Sequence, residues 1–245
     1  MVAVLLVFHG SRDQRPQQGM CQLVNRMQVE LDHHFQRCLV HVAQLELGEL
    51  PLADQLYEFA MGAGELGLDQ VYIFPLFLLA GNHVMDDIPL QVKAAAQRLG
   101  QQFQLIQMPH LGSFPGFVQL MQTQMKKMQS KSWILLAHGS RRSGGNQSVI
   151  ELATQLNATP AFWVIPPSME MQINQLILTG CSDIGVIPYF MFPGRILTTI
   201  AHQLIQLKKE FPTVNLEISN PVSANPELAK LLVSQVIQFQ QKTVD

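Results

Sequence analysis

Two spacings of hydrophobic residues alternate along this chain. Short apolar runs such as Val2–Phe8 have the length and β-branched content of buried strands. Between them, apolar residues recur every three or four positions, which is the pattern of an amphipathic helix. The patterns predict strands at 2–8, 38–47, 71–79 and 103–108 with helices at 16–37, 52–66, 88–99 and 114–131, and then strands near 132–137, 160–165, 183–190 and 214–218 with helices near 143–156, 168–179, 195–210 and 225–241.

This alternation of strands and helices predicts an α/β protein. Short connections between such elements favour βαβ units, parallel sheets and right-handed crossovers. Each half of the chain supplies four strands with intervening helices. We therefore expect two doubly wound modules, each a parallel sheet with helices on both faces, arranged as two lobes with a cleft between them.

The two halves share short sequence motifs as well as the order of strands and helices. His9-Gly-Ser-Arg returns as His138-Gly-Ser-Arg, each time directly after an apolar run. The offset between the copies falls from 129 at these histidines to 113 at Pro75 and Pro188, so the first copy is about 16 residues longer between these landmarks. The repeat predicts two tandem domains, 1–130 and 131–245.

Composition narrows the class of protein. Hydrophobic residues make up 47% and charged residues 14% of the chain, which is enough for two buried cores. A net charge of -2 without any basic block argues against nucleic acid as a partner. The three cysteines are scattered, no apolar run reaches membrane-spanning length, and no secretory leader is recognisable. We expect a cytoplasmic protein with no membrane partner.

Candidate ligands follow the strands of the first copy. His9 follows the first strand, Glu46 ends the second, His83 follows the third and His110 the fourth. The carboxyl ends of parallel strands meet at one edge of a sheet, where ligands bind. His9 and His83 with a nearby carboxylate predict a weak divalent-metal site with open coordination positions. For His110 we favour an ordinary hydrogen-bonded histidine at a strand end.

The second copy serves as an internal control. It keeps His138, but at the offset of 113 the position of His83 is occupied by Ile196. Val222, at an offset of 112, takes the place of His110. The segment 162–165 offers no acidic counterpart to Glu46. We therefore expect one active site per chain, in the first copy, and a C-terminal domain whose site has decayed.

These motifs together resemble the class II chelatases. His9-Gly-Ser-Arg-Asp13, Leu45-Glu-Leu47 and the stretch Gly81-Asn-His-Val-Met-Asp-Asp-Ile-Pro89 are similar to the sirohydrochlorin chelatases of the CbiX/SirB type, whose long members are tandem duplications. The resemblance covers the whole chain. It implies two chelatase-like domains of flavodoxin-like or Rossmann-like type. The implied activity is insertion of iron or cobalt into sirohydrochlorin, a step of sirohaem or cobalamin synthesis.

The resemblance also implies roles for individual residues. His9 and His83 would bind the incoming metal, and Glu46 would act as an acidic catalytic residue. The carboxylate-rich macrocycle would be anchored near Ser11, Arg12, Gly81 and Asn82. The metal would be a substrate, Fe²⁺ ahead of Co²⁺, and no permanent cofactor is expected. A non-catalytic carrier of metal or tetrapyrrole stays open as the alternative function.

Overall fold

A computed structural model describes residues 1–244 and the side chains of residues 1–241. It contains two compact units, each built on a four-stranded parallel sheet. In the first unit the sheet order is β2-β1-β3-β4. Its elements are β1 (Val2–Phe8), α1 (Gln14–Asp32), β2 (Cys38–Gln44), α2 (Leu52–Glu65), β3 (Gln70–Pro75), a π-helical turn (His83–Asp87), α3 (Ile88–Leu99) and β4 (Gln104–Gln107).

Strand β1 is buried over its full length because it is central in the sheet and covered on both faces. Residues at odd positions, such as Leu5, share one core with Leu56 of α2 and Ile88 of α3. The opposite face is covered by α1 and by the last helix of the chain, α8 (Glu227–Val244). On this face the rings of Tyr72 of β3 and Phe239 of α8 are in contact, with centroids 5.9 Å apart.

The second unit repeats this architecture, with sheet order β6-β5-β7-β8. Its elements are α4 (Phe117–Met125), β5 (Ser132–Ala137), α5 (Gln147–Gln155), β6 (Thr159–Phe162), α6 (Met169–Leu178), β7 (Asp183–Pro188), α7 (Arg195–Glu210) and β8 (Asn215–Ile218). Ile134 and Val186 of the sheet share a core with Ile173 of α6 and Leu204 of α7. The expectation of two doubly wound parallel-sheet modules is therefore confirmed.

The compact units and the two sequence copies divide the chain at different places. The first unit comprises residues 1–117 and the segment from Pro226 onward, and the second comprises Val118–Asn225. Helix α8, which ends the second copy, thus packs beside α1 of the first. Within the second unit, the buried Asn225 donates a hydrogen bond of 3.1 Å to the carbonyl of Leu120 on α4.

Several element ends differ from the predicted ones. Helix α1 ends at Asp32 rather than 37, because the chain must turn before Cys38 and the carbonyl of Arg37 already accepts a hydrogen bond from Val2 N. Strand β3 ends at Pro75 rather than 79: Leu76 N donates a last hydrogen bond to the carbonyl of Val7 on β1, and Pro75 has no N–H to donate on the other side of the strand. Helix α7 spans 195–210 as predicted. None of the helices in the described part of the chain combines the length and the hydrophobicity that a membrane span requires.

Candidate active site

His9 directly follows β1, at the start of a turn whose next residue, Gly10, has to be a glycine. Gly10 has a φ of +99°, and a Cβ there would lie 1.9 Å from the carbonyl oxygen of Glu46. The missing side chain lets the loop after β1 lie directly against the chain leaving β2. The carbonyl of His9 then accepts a hydrogen bond of 2.9 Å from Glu46 N, which fixes the two residues side by side.

Glu46 lies beyond the end of β2 with its side chain half exposed. The next residue, Leu47, has a φ of +59°, a conformation that costs a bulky side chain free energy. Leu47 is also exposed despite being apolar. A strained, exposed leucine beside a candidate ligand is the kind of backbone feature that accompanies functional sites.

His83 is carried by the π-helical turn that follows β3. Its ring lies 6.0 Å from that of Phe77, and its Nδ1 lies 2.7 Å from Oδ2 of Asp87, four residues later. Loop packing holds Phe77 in place: its carbonyl accepts a hydrogen bond from Gly112 N, and a Cβ at Gly112 would collide with the carbonyl oxygen of Leu78. His83 is therefore held through both its backbone turn and its ring.

The structure brings His9, Glu46 and His83 together. Nε2 of His9 lies 3.7 Å from one carboxylate oxygen of Glu46, and Nε2 of His83 lies 3.9 Å from the other. The two imidazole rings meet edge to face with centroids 5.0 Å apart. One ligand atom from each residue falls within 4.8 Å of the others, the one such group of three among the described residues.

This group is open to solvent. The side chains of His9 and Glu46 are each 51% exposed, and that of His83 is 34% exposed. Exposed acidic side chains at Asp86 and Asp87 lie on the same turn as His83. The negative charge around the two imidazoles favours a cation, and the exposure leaves room for a large second ligand on the solvent side.

The predicted substrate anchors lie on the two loops that carry the histidines. The hydroxyl of Ser11 accepts a hydrogen bond from Asp13 N, while Arg12 and Asn82 are exposed. The N–H of Gly81 donates to the carbonyl of Leu79, and its own carbonyl accepts from Val84 N and Met85 N. Space beside Gly81 is open, so this position offers room rather than a free donor.

His110 lies outside this group. It follows β4, is partly buried, and its carbonyl accepts a hydrogen bond from the hydroxyl of Ser113. Burial lowers the pKa of its imidazole below the usual value because the charged form loses solvation. It is not among the three residues that converge, and the favoured interpretation of an ordinary strand-end histidine stays a prediction.

Backbone hydrogen bonds align the second copy with the first. Val164 N donates to the carbonyl of His138, as Glu46 N does to that of His9, so Val164 occupies the position of Glu46. Nδ1 of His138 lies 3.1 Å from the carbonyl oxygen of Gly139. The second copy therefore keeps one imidazole and has an apolar side chain in place of the carboxylate.

The π-helical turn changes the alignment of the copies by one residue. The offset is 113 at Pro75 and Pro188, but the buried pairs along the following helices, Ile88 with Ile200 and Val92 with Leu204, are 112 apart. A π turn accommodates one extra residue, and here it lies where His83 is. Asp87 thus corresponds to Thr199. A constant offset of 113 would instead pair it with Ile200.

Sequence reasoning missed the contact between Asp87 and His83. The signal was present, since an acidic residue four positions after a histidine can lie on the same face of a helix. Phe77 beside His83 was also missed, because nothing in the apolar run 71–79 distinguishes a residue that contacts a candidate metal ligand from one that fills the core.

Comparison with known proteins agrees with this architecture. A model of the CbiX family matches residues 3–128 and again 132–239. The sirohydrochlorin ferrochelatase of Priestia megaterium is 26% identical over 249 residues, covering 96% of this chain and 90% of that protein.

Two solved structures are also similar. SirB from Bacillus subtilis with Fe³⁺ has a TM-score of 0.76 at 21% identity, over 97% of this chain and 95% of that one. The sirohydrochlorin chelatase SirB of Bacillus subtilis subspecies spizizenii in complex with cobalt has a TM-score of 0.70 at 21% identity, with the same coverage. At these identities the likeness describes the fold.

Proposed function

Because the chain belongs to the CbiX family, we propose that it is a sirohydrochlorin chelatase, an enzyme that inserts a divalent metal ion into a carboxylate-rich tetrapyrrole. The resemblance drawn from its motifs is confirmed by the match of the family model to both copies. The observation that carries the proposal is the convergence of His9, Glu46 and His83 on one exposed face. The names of its relatives, a ferrochelatase and a chelatase, support the same activity.

The spacing of the three side chains suits a metal that must be held and then released. Two ligand atoms about 2.1 Å from a tetrahedral metal lie about 3.4 Å apart. The nitrogen–oxygen distances of 3.7 and 3.9 Å exceed this by a few tenths of an ångström, which small side-chain rotations close. Two neutral imidazoles and one carboxylate leave coordination positions open on the solvent side, where the macrocycle approaches.

Metal insertion exchanges two protons for one divalent cation. The macrocycle loses two pyrrole N–H protons as its four nitrogens bind the metal, and the bonds from His9, His83 and Glu46 to the metal break in turn. Glu46, which has one carboxylate oxygen near each imidazole, accepts one departing proton, and a released imidazole accepts the other. Both protons then pass to water, because all three groups are exposed.

Anchoring of the macrocycle is proposed at the two loops that flank the metal. Arg12 offers a guanidinium for a substrate carboxylate, and Asn82 and Ser11 offer further polar groups nearby. Gly81 contributes open space for the ring edge. These assignments rest on position and chemistry, and each places its residue within three positions of His9 or His83 in the sequence.

The metal is proposed as a substrate, with Fe²⁺ ahead of Co²⁺ and no permanent cofactor. Affinity at nitrogen sites rises from iron to cobalt to nickel, so the ligand set alone does not select iron. The preference rests on the absence of any sequence feature of a dedicated cobalamin enzyme. The reducing cytoplasm, where we place the protein, supplies ferrous iron and suits its three free cysteines.

Turnover tests the proposal. Purified protein at a concentration well below that of sirohydrochlorin is mixed anaerobically with Fe²⁺, Co²⁺ or Ni²⁺, and the absorbance change of metallation is followed. A chelatase raises the initial rate in proportion to protein concentration and completes many turnovers. A carrier of metal or tetrapyrrole, the alternative function, binds one equivalent without raising the rate, and that result would overturn the proposal.

A further inference from the structure

Asp87 is the polar contact of the site that the proposed mechanism leaves unused. Its Oδ2 lies 2.7 Å from Nδ1 of His83, a hydrogen-bond distance, while Nε2 of the same ring faces Glu46 at 3.9 Å. The two nitrogens of His83 thus have separate partners. Nδ1 faces the carboxylate of Asp87 on the same turn, and Nε2 faces the proposed metal position.

This geometry favours one tautomer of His83. An ionised carboxylate can only accept hydrogen bonds, so the proton of a neutral His83 lies on Nδ1, between the ring and Asp87. The lone pair of Nε2 is then directed toward Glu46 and His9, where a metal would bind. The opposite tautomer would place two lone pairs at Nδ1 and Asp87 against each other, and would block Nε2 with a proton.

The second copy lacks every part of this arrangement. When the buried residues of the two helices are aligned, Asp87 corresponds to Thr199. The hydroxyl of Thr199 donates to the carbonyl of Arg195 on its own helix. No π-helical turn precedes α7 among the described residues, and neither Arg195 nor Ile196 offers an imidazole. The extra residue, the histidine and its carboxylate partner are therefore present together in one copy and absent together from the other.

We infer that Asp87 is a positioning residue, which fixes the tautomer and the ring orientation of His83 so that Nε2 is available to the metal. The inference rests on the proposed function, because it concerns the same site. Carboxylates behind metal-binding histidines act in this way and raise the basicity of the ligand nitrogen. Asp87 itself does not reach the metal position, since His83 lies between them.

The neighbouring Asp86 provides a matched control. It carries the same charge on the same turn, is exposed, and is one residue away in the sequence. Asp86→Asn and Asp87→Asn remove the same charge from the loop. Asp87→Ala removes the hydrogen-bond acceptor, and Asp87→Glu keeps a carboxylate at a longer reach. Since Asp87 is half exposed, these changes do not empty the core.

Two measurements distinguish positioning from a structural or purely electrostatic effect. Titration with Co²⁺ gives the metal affinity of each variant, and ¹⁵N NMR of histidine-labelled protein, with His83→Gln to assign the signal, reports which nitrogen carries the proton. We expect Asp87→Ala to weaken Co²⁺ binding by about 10- to 100-fold and to raise KM for the metal, and Asp87→Glu to restore part of the affinity. The His83 signal should shift from the Nδ1-protonated form.

Several results would overturn the inference. Asp87→Ala could bind Co²⁺ as tightly as the unaltered protein, or leave the His83 tautomer unchanged. Asp86→Asn could weaken binding equally, which would assign the effect to charge alone. Failure of the proposed function looks different: the unaltered protein would show no accelerated metallation, while the NMR signal of His83 would still report whether Asp87 sets its tautomer.

Discussion

At the scale of single residues, the surroundings of His9 and His83 depend on one glycine and one aspartate: Gly10 lies against the Glu46 carbonyl, and Asp87 contacts the His83 ring. The sequence predicted that His9, Glu46 and His83 would come together, because each follows a strand of one parallel sheet and the carboxyl ends of such strands share an edge. It did not predict how closely, since the approach of His9 to Glu46 depends on the missing side chain of Gly10. The partner of His83 depends likewise on a π turn that no local pattern indicated.

Replacing Gly10 with alanine should separate His9 from Glu46. The φ of +99° costs a residue with a Cβ about 2 kcal/mol, and the new Cβ would meet the Glu46 carbonyl oxygen at 1.9 Å. We expect a lower denaturation midpoint and a large loss of metallation rate.

Gly139→Ala is the matched control for this substitution. Gly139 has a φ of +86°, but a Cβ there would meet side-chain atoms of Phe162 and Ile165 rather than the backbone of a residue in the proposed site. The Gly139→Ala variant should lose a similar free energy of unfolding, because alanine is strained at this φ as well, and it should keep its metallation rate. Equal loss of rate in both variants would show that Gly10 acts through stability alone.

At the scale of elements, the hydrophobic pattern predicted most strands and helices but not all of their ends. β1 and α7 agree because an unbroken apolar run and a regular three-and-four spacing leave little ambiguity. The end of α1 was misplaced because Phe35 continues the helical spacing while the chain is already turning toward β2. The turn there places Cys38, the first residue of β2, against Asp32 at the end of α1.

This junction predicts an unreactive thiol. Burial and the hydrogen bond from its Sγ to Asp32 raise the pKa of Cys38 to about 11, so almost none is thiolate at neutral pH. Cys21 is exposed on α1. Under limiting iodoacetamide near pH 8, peptide mass spectrometry should find Cys21 alkylated well before Cys38.

Asp32→Asn tests the cause of this difference. The substitution removes the negative charge beside Cys38, so the pKa of the thiol should fall and its alkylation should become faster, with that of Cys21 unchanged. Equal labelling of Cys21 and Cys38 in the unaltered protein would contradict the argument.

At the scale of the whole molecule, two copies of one module carry different side chains at the carboxyl ends of their strands. The first keeps two imidazoles with carboxylates beside them, whereas the second keeps His138 and has Val164 where Glu46 would be. Sequence comparison of the copies predicted this asymmetry. It did not predict that α8 packs in the first unit, because an amphipathic pattern shows which face of a helix is buried but not which sheet covers it.

The most direct test of the account compares initial rates of sirohydrochlorin metallation in His9→Ala, His83→Ala and His138→Ala, each with its fold verified by circular dichroism. We predict that the first two lose at least about 100-fold in rate, since each removes a proposed metal ligand, and that His138→Ala keeps the rate of the unaltered protein. A loss in His138→Ala as large as in His9→Ala, or near-normal rates in both His9→Ala and His83→Ala, would contradict the account.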